Sequence, residues 1–592
     1  MRILVFHGYL LDGTGSNVYN ARLAAALVEL GHDVHMLCQD RHPERHEFVG
    51  AAGDWDGGEL RVRSIERSAW VSASGDGGGI VVEEDASAPA REPRPLDGSC
   101  TVYRPNIGGL LPVYVADRYE GVEAKTFARC SDQEVARYID ANVAAVSDLC
   151  ALVEPEIALA NHLVMGPVIL ARGLDGLVPY AVKVHGSALE YTVKPEPERF
   201  LGLAAEGLAA AEAILVGSRH TADSLWSALG DPTLERRTRL GPPGVDVALF
   251  APKESVHARA RIRSLARQLH DTAVAAVESA RADTEAKDAG AEANDAFARD
   301  DSAAASAMAR IDLDHDRLVA FVGKLIVSKG IDLLLAAWPL VLAEAPDARL
   351  LVVGFGAYRE ACEHLIAALA DGDLDGALAI ARAGRALESA APGQPLESAT
   401  PDRALESGGT GKPVAPDQSE APGQPLRHLL AFFEGLREAE RERYLAAAET
   451  LPERVILTGR LDHDELAEVL PACEAMVVPS TFPEAFGMVA AEAAACGALP
   501  ISAAHSGLAE VSEALARAVP AQAARWLSFP VDDSAVEAIA ERVVAWLSAD
   551  PELREETRAG LVATVRERWS WQGVARGVVA AARGELDRLA GP

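Results

Sequence analysis

Short, wholly apolar runs recur along this chain, each followed by a turn and then by a helix-like stretch. Ile3-Leu4-Val5-Phe6, Leu318-Val319-Ala320-Phe321-Val322, Val455-Ile456-Leu457 and Ala475-Met476-Val477-Val478 are the clearest of them. A strand that alternates apolar and polar residues has one face in water, whereas a continuous apolar run is buried on both faces, as in a parallel sheet covered by helices. The start of the chain shows the unit in full. The strand of residues 2–6 runs into a glycine-containing loop (Asp12-Gly13-Thr14-Gly15-Ser16-Asn17), then an amphipathic helix from Asn20 to Leu30, a turn at Gly31-His32 and a second strand from Asp33 to Cys38. Further strands are expected at 156–160, 180–184 and 212–216, and Arg349 to Val353 reads as another, ending at Gly354-Phe355-Gly356. The fold class is therefore α/β with doubly wound, Rossmann-like sheets.

A chain of 592 residues exceeds what one core supports, so two or more domains are expected. The first spans 1–250, ending near Asp246–Phe250, and the second 316–570, with a C-terminal helix over 571–592 after Trp569. Between them, 251–315 is rich in Ala, Asp, Glu and Arg and reads as an exposed helix or a disordered linker. Within the second domain, about 371–427 holds APGQPL twice (at 391 and 421) and RALES twice (at 385 and 403), the mark of an inserted, poorly ordered loop. Ligands of such sheets bind at the carboxyl ends of strands, and the site is expected in the cleft between the two domains.

A formal charge of −32 argues against a nucleic-acid-binding surface, which needs a basic footprint. Seven scattered cysteines form no CxxC pair, so neither a zinc site nor a disulfide framework is indicated. No apolar run approaches the ~18 residues of a membrane span, and the opening residues lack a signal-peptide pattern. The expectation is a cytoplasmic protein without a transmembrane segment.

The residues from Pro479 to Gly497 carry the most chemistry. A strand gives way to a turn with Pro479 and Pro483, then to an Ala-rich helix ending at Gly497. Free N–H groups of Phe486, Gly487 and Met488 would point at an anionic ligand, and Gly487 lets that ligand come close to the main chain. Glu484 stands in the turn and Glu492 eight residues on, inside the helix. On one continuous helix the two would lie about 80° apart in azimuth. Since Pro483 puts Glu484 in a turn, the carboxylates can meet opposite ends of an extended ligand, each accepting hydrogen bonds from paired hydroxyls of a sugar or ribose.

Lysine is scarce: eight positions, against 48 arginines among the 56 basic residues. Two of the eight, Lys324 and Lys329, follow the strand of Leu318–Val322 in Gly323-Lys324-Leu325 and Lys329-Gly330-Ile331. Compact ammonium groups there could neutralise a diphosphate that leaves with a nucleotide. Together with the Phe486–Met488 amides they make a diphosphate site that needs no metal. Asp312-x-Asp314, the nearest candidate for a magnesium-held diphosphate, precedes its strand and reads as a loop.

With these elements in their order, the chain resembles the retaining family 4 glycosyltransferases, which have two Rossmann-like domains facing a cleft (the GT-B architecture). In the second domain the likeness rests on the GK…KG element, Gly354-Phe355-Gly356, Thr458-Gly459-Arg460-Leu461 and Glu484…Glu492; in the first, on the Gly13–Asn17 loop, Val184-His185-Gly186 and Gly241-Pro242-Pro243-Gly244-Val245-Asp246. It covers both domains but not the two biased segments. The resemblance implies that Glu492 binds the ribose of a sugar nucleotide, Glu484 contacts the transferred sugar, Lys324 and Lys329 hold the diphosphate, Arg460 and Leu461 lie near the base, and His185 sits by the reacting centre. The family more often has Arg at the place of Lys324, and Asn-Gly at the place of Pro243-Gly244. The implied activity is transfer of a hexose from a nucleotide-diphosphate sugar to a hydroxyl acceptor, with no cofactor and no metal.

Gly13, Thr14, Gly15 and Asn17 are expected on the acceptor side of the cleft, as are Arg104 and Asn106 in the loop from Tyr103 to Leu110; Arg118 is a further polar candidate, and a purely structural loop is the equal alternative. GxG after a first strand also opens a nicotinamide-binding fingerprint, but Val18 occupies the place of the third glycine, and Asp40 is only near the expected acidic position. The alternatives are thus a NAD-linked oxidoreductase, a sugar phosphorylase on the same architecture, for which no lysine anchoring a pyridoxal cofactor is identifiable, and a non-catalytic sugar-nucleotide-binding protein. Base, sugar, acceptor and oligomeric state are not legible.

Overall fold

The computed structural model describes residues 1–11, 15–56, 58–65, 98–114, 122–283, 300–388 and 424–592. They form two compact units: Met1–Gly244 with Trp571–Pro592, and Val245–Ser570.

The first unit is built on a nine-stranded sheet of β1 (Arg2–Phe6), β2 (Asp33–Leu37), β3 (Ala51–Asp56), β4 (Glu59–Ser64), β5 (Ser99–Arg104), β8 (Ile157–Asn161), β9 (Tyr180–Lys183), β10 (Ala213–Val216) and β11 (Thr238–Leu240). β6 (Leu110–Val113) and β7 (Glu123–Thr126) pair with each other in parallel, outside it. The order across the main sheet is β11-β10-β9-β8-β1-β2-β5-β3-β4, and only β3 and β4 run antiparallel. Alternation within the strands divides the core in two. Leu4, Phe6, Ala158, Val182 and Ile214 pack on one face with the helices Asp132–Val153, Gly166–Leu174 and Pro197–Ala209. Ile3, Val5, Leu159, Ala181 and Leu215 pack on the other with Gly15–Glu29 and Trp571–Ala582. Burial on both faces is the reason these strands read as unbroken apolar runs. The helix Asp132–Val153 begins with a capping box: Glu134 N–H donates to Ser131 Oγ at 3.3 Å, and Ser131 N–H donates to Glu134 Oε2 at 2.7 Å. Such a cap contributes about 1 kcal/mol.

The second unit carries β12 (Arg317–Val322), β13 (Ala348–Val353), β14 (Val455–Gly459), β15 (Cys473–Val478), β16 (Leu499–Ala503) and β17 (Ser528–Phe529). Their order is β14-β13-β12-β15-β16-β17, parallel throughout. Counted in chain order this is 3-2-1-4-5-6, the doubly wound order of a dinucleotide-binding sheet, with its reversal between β12 and β15. In the first unit the reversal lies between β1 and β8. The α/β expectation of two Rossmann-like units is thereby met.

The biased segments are more ordered than expected: the first takes the helical one of its two readings but is docked rather than simply exposed. Ser255–Asp283 is a helix, and Ile262, Leu265 and Leu269 on it enter the core of the second unit, as do Ala304 and Met308 of the helix Asp301–Met308. A few apolar residues at helical spacing suffice to dock a helix that is otherwise rich in charged and small residues. Likewise the first part of the expected loop over 371–427 is the helix Leu374–Ala383, with Ala377, Ile380 and Ala381 buried. Residues 284–299 and 389–423, including most of the duplicated motifs, lie outside the described residues. The tail helix Trp571–Ala582 belongs to the first unit, not to the second that precedes it in the chain. The β3–β4 pair and β5 to β7 were not anticipated. Among the described residues no helix is long and apolar enough to cross a membrane.

Candidate functional site

In the second unit the functional motifs converge at the sheet reversal. β12 ends at Val322, and Gly323-Lys324-Leu325 leads through the short turn Val327–Lys329 to the helix Ile331–Glu344. Beside it, β15 ends at Val478 and its loop leads to the helix Met488–Ala495. The two loops are fastened to each other. Thr481 N–H donates to the Ser328 carbonyl at 2.9 Å. Gly330, at φ +66°, lies so close to the Pro479 carbonyl oxygen that any β-carbon would overlap it. Lys329 Nζ forms an ion pair with Glu484 Oε1. The resemblance gives Lys329 the diphosphate and Glu484 the transferred sugar; the structure puts the two side chains in contact.

Glu484 is held on every side. Ser480 Oγ donates to its Oε1 at 2.8 Å, and its own N–H donates to Ser506 Oγ at 2.9 Å. His505 braces this arrangement, with Nε2 donating to the Ser480 carbonyl at 2.8 Å and Nδ1 lying 3.0 Å from Ser506 Oγ. Ser506 takes a left-handed conformation, φ 51°, to reach its place. Ser480, His505 and Ser506 were missed in the sequence; the one available signal was that Ala504-His505-Ser506-Gly507 follows β16, the strand next to β15.

Further backbone bonds explain why the GK, GFG and TGR motifs occur together. Gly323 N–H donates to Val353 O at 3.1 Å, Leu325 N–H to Phe355 O at 2.8 Å, Tyr358 N–H to Leu325 O at 3.0 Å and Gly354 N–H to Gly459 O at 2.9 Å. Gly354 and Gly356 leave no room for side chains against the carbonyls of Gly323 and Leu325. Lys324 is exposed at the edge of this assembly, and the Arg460 guanidinium lies 5.7 Å from the centre of the Phe355 ring and 3.5 Å from Asp462. Leu461 packs partly buried.

Glu492 is buried in the helix Met488–Ala495, and its Oε1 meets His463 Nε2 at 2.8 Å. His463, itself edge-on to Phe250 at 4.7 Å between ring centres, is a second residue the motifs did not disclose. The helix starts at Gly487 with no side-chain cap, so nothing from a side chain occupies its first amides. Phe486 packs edge-on against Trp569, 5.5 Å between ring centres.

In the first unit the reversal between β1 and β8 gathers polar rings. His7, after β1, has its Nε2 2.8 Å from the Leu10 carbonyl and 3.1 Å from Asn17 Oδ1, and its Nδ1 3.0 Å from Asn20 Nδ2. An amide NH₂ only donates, so Nδ1 accepts and Nε2 carries the proton. His185, after β9, places Nε2 3.1 Å from Asn161 Oδ1, while Asn161 Nδ2 donates to the Phe6 carbonyl at 3.3 Å. That leaves Nδ1 of His185 as the lone-pair nitrogen. Burial pushes the His7 imidazole down to about 4. It lowers His162 and His185 well below the ordinary histidine range as well, His162 with a contribution from His7 and His185 with contributions from His162, Lys183 and His7.

Asn17 is thus placed in this cluster, and Gly15 opens the helix Gly15–Glu29, but Gly13, Thr14 and Arg118 lie outside the described residues. Arg104 is engaged elsewhere, its Nε donating to Asp54 Oδ1 at 2.7 Å. Asn106 turns its own loop, accepting from Gly108 N–H at 3.1 Å. Asp40 accepts from Leu11 N–H at 3.0 Å and His42 N–H at 2.8 Å, a loop-bracing role.

Residues 430–560 match the family model described as glycosyl transferases group 1. This segment holds Thr458–Leu461 and the Glu484…Glu492 pair, so the likeness of those motifs to glycosyltransferases is borne out there. No curated protein matches. Among solved structures, the chain is similar to sucrose-phosphate synthase from Thermosynechococcus elongatus, at 17% identity over 99% of both chains with a TM-score of 0.48. It is similar to the catalytic domain of starch synthase IV from Arabidopsis thaliana bound to ADP and acarbose, at 14% identity over 99% of both chains with a TM-score of 0.47. An Anabaena protein in complex with UDP and glucose is similar at 13% identity over 98% of this chain and 99% of that one, with a TM-score of 0.46.

Proposed function

We propose that this chain is a glycosyltransferase of group 1, a retaining hexosyltransferase of the family 4 type, working in the cytoplasm on a nucleotide-diphosphate sugar and a hydroxyl acceptor without a metal or other cofactor. The observation that carries the reading is the convergence of Lys329, Glu484 and an uncapped helix start at the sheet reversal of the second unit, with Glu492 on that same helix. Lys324, Lys329 and the amides of Phe486, Gly487 and Met488 would receive the leaving diphosphate, where charge builds as the glycosidic bond breaks. Gly323 gives the phosphates access to the main chain. Glu492 would take the ribose hydroxyls, with Arg460 and Leu461 beside the base.

Glu484 would hold the sugar's hydroxyls. Its pairing with Lys329 fixes both groups before the donor arrives, which lowers the cost of ordering them on binding. His185, with its lone-pair nitrogen, would accept a hydrogen bond from a hydroxyl at the reacting centre. Gly13, Thr14, Gly15 and Asn17 are assigned to the acceptor side. Arg104 and Asn106 fit that side less well, since both are engaged within the first unit. The acceptor hydroxyl would attack on the face from which the diphosphate departs, passing its proton to the leaving phosphate.

The test is a thermal-shift panel of UDP, GDP and ADP sugars, followed by transfer assays with the best donor in the presence of EDTA. A bound donor raises the midpoint by mass action. The anomeric configuration of the product, read by proton NMR, should equal that of the donor. Inversion, loss of activity with EDTA, or no response to any sugar nucleotide would overturn the corresponding part.

A further inference from the structure

Lys183 is the last residue of β9 and is buried at 2% exposure. Its ammonium donates to the Gly241 carbonyl at 2.5 Å and lies 5.5 Å from the centre of the Tyr19 ring. A carbonyl satisfies one of three N–H donors and supplies no counter-charge. The Tyr19 ring in turn lies 5.2 Å from His185, which lies 4.8 Å from His162, which stacks on His7 at 6.1 Å. Four side chains from three neighbouring strand ends thus bring basic nitrogens together at the sheet reversal.

Unmatched polar atoms collect at the same place. Both ring nitrogens of His162, the Tyr19 hydroxyl and Asn20 Oδ1 are buried without a hydrogen-bond partner. His162, Tyr19 and Asn20 are 2%, 4% and 0% exposed. Each such atom destabilises the fold unless something meets it. Among the described residues no set of His, Cys, Asp and Glu is arranged to hold a metal ion. What the cluster lacks is a ligand with several oxygens and a negative charge. His185 is only half-buried, so the cluster meets solvent on that side.

We infer that Lys183 and His162, beside His185, form a subsite for an oxyanion carried by the acceptor, a phosphate monoester or a carboxylate. This rests on the proposed transfer reaction. Burial holds the Lys183 amine down to about 7, and the three imidazoles are held below their usual range. The groups facing Lys183 and the imidazoles are Tyr19 from the helix Gly15–Glu29, the Gly241 carbonyl, and Asp40, whose charge acts on His7. An anion entering here supplies the missing charge, so it binds with proton uptake and binds better at lower pH.

The experiment is calorimetric titration of the full chain with methyl phosphate and, separately, inorganic phosphate. Wild type, Lys183→Met and Lys329→Ala are compared, the last because phosphate can also enter the diphosphate site of the second unit. Methyl phosphate binding should weaken at least tenfold in Lys183→Met and persist in Lys329→Ala. In the wild type it should weaken at least tenfold from pH 6 to pH 9, with heats that depend on buffer ionisation enthalpy. The pH series stands alone if Lys183→Met does not fold. Equal binding in Lys183→Met, binding independent of pH, binding of inorganic phosphate only, or no binding would each overturn the inference. Sugar-nucleotide binding in the same preparations separates the two ideas. Donor binding without methyl phosphate binding sinks this subsite alone, and methyl phosphate binding without donor binding sinks the transfer reaction and leaves the anion site.

Discussion

Lys329 and Glu484 stand 155 positions apart in the chain and form one ion pair, which joins the loop after β12 to the loop after β15 at the point where the sheet reverses. Both side chains are partly exposed, 32% and 26%, so the pair contributes little to stability and can be opened by a ligand. Lys329→Ala should lower the turnover of sugar transfer about 10²–10³-fold, with an unchanged urea midpoint. A fall in midpoint to match the loss of rate would show that the lysine serves the fold.

Glu492 is buried, and its recorded partner is a histidine that a ribose hydroxyl could displace or share. Removing its charge while keeping its shape should weaken donor binding by about 10–100-fold, the worth of a hydrogen bond to a charged group. Glu492→Gln, titrated with the donor selected by thermal shift, checks this; a dissociation constant within threefold of wild type, about 0.6 kcal/mol, would exclude a ribose contact.

Gly330 joins two constraints, φ +66° and a Pro479 carbonyl oxygen 2.0 Å from where a β-carbon would stand. A left-handed residue other than glycine costs about 1–2 kcal/mol, and here the β-carbon must also push the neighbouring loop away. Gly330→Ala should therefore destabilise the second unit by more than about 2 kcal/mol. Urea denaturation followed by tryptophan fluorescence measures it.

Acid should weaken the first unit before its carboxylates titrate. An unfolded chain protonates His7, His162 and His185 near pH 6.5, whereas the folded one keeps His7 neutral to about 4 and the others well below the ordinary range. Between those values the unfolded state binds more protons, so stability falls as the pH falls, by up to about 1.4 kcal/mol per pH unit for each imidazole. Denaturation midpoints from pH 7 to pH 5 should show this slope, and His7→Gln should reduce it by roughly a third.

Much of the architecture was legible because the central strands of both sheets are buried on two faces and read as apolar runs. Ile3–Phe6 and Leu318–Val322 needed no tertiary information to be placed. The hairpin β3–β4 was not legible, since Glu59–Ser64 is almost wholly exposed and shows no apolar run. For Ser255–Asp283 a helix was one of two readings, but its docking was not legible, because it rests on a few apolar residues diluted by charge. At the site, glycines and acidic residues announced themselves through their motifs. His463, His505 and Ser506 did not, because a hydrogen bond made across the fold leaves no mark in local spacing. Lys183 and His162 were equally silent, since their meaning comes from burial.

The tail segment Trp571–Pro592 completes the first unit, with Trp571 packed on Tyr19 and the helix Trp571–Ala582 lying against β8, β9 and β10. During translation, then, Met1–Gly244 cannot seal one side of its sheet until the ribosome has delivered Trp571–Ala582. Val245–Ser570, the unit for which donor binding is proposed, has every strand of its sheet before that moment, so of the two units the one begun first is completed last.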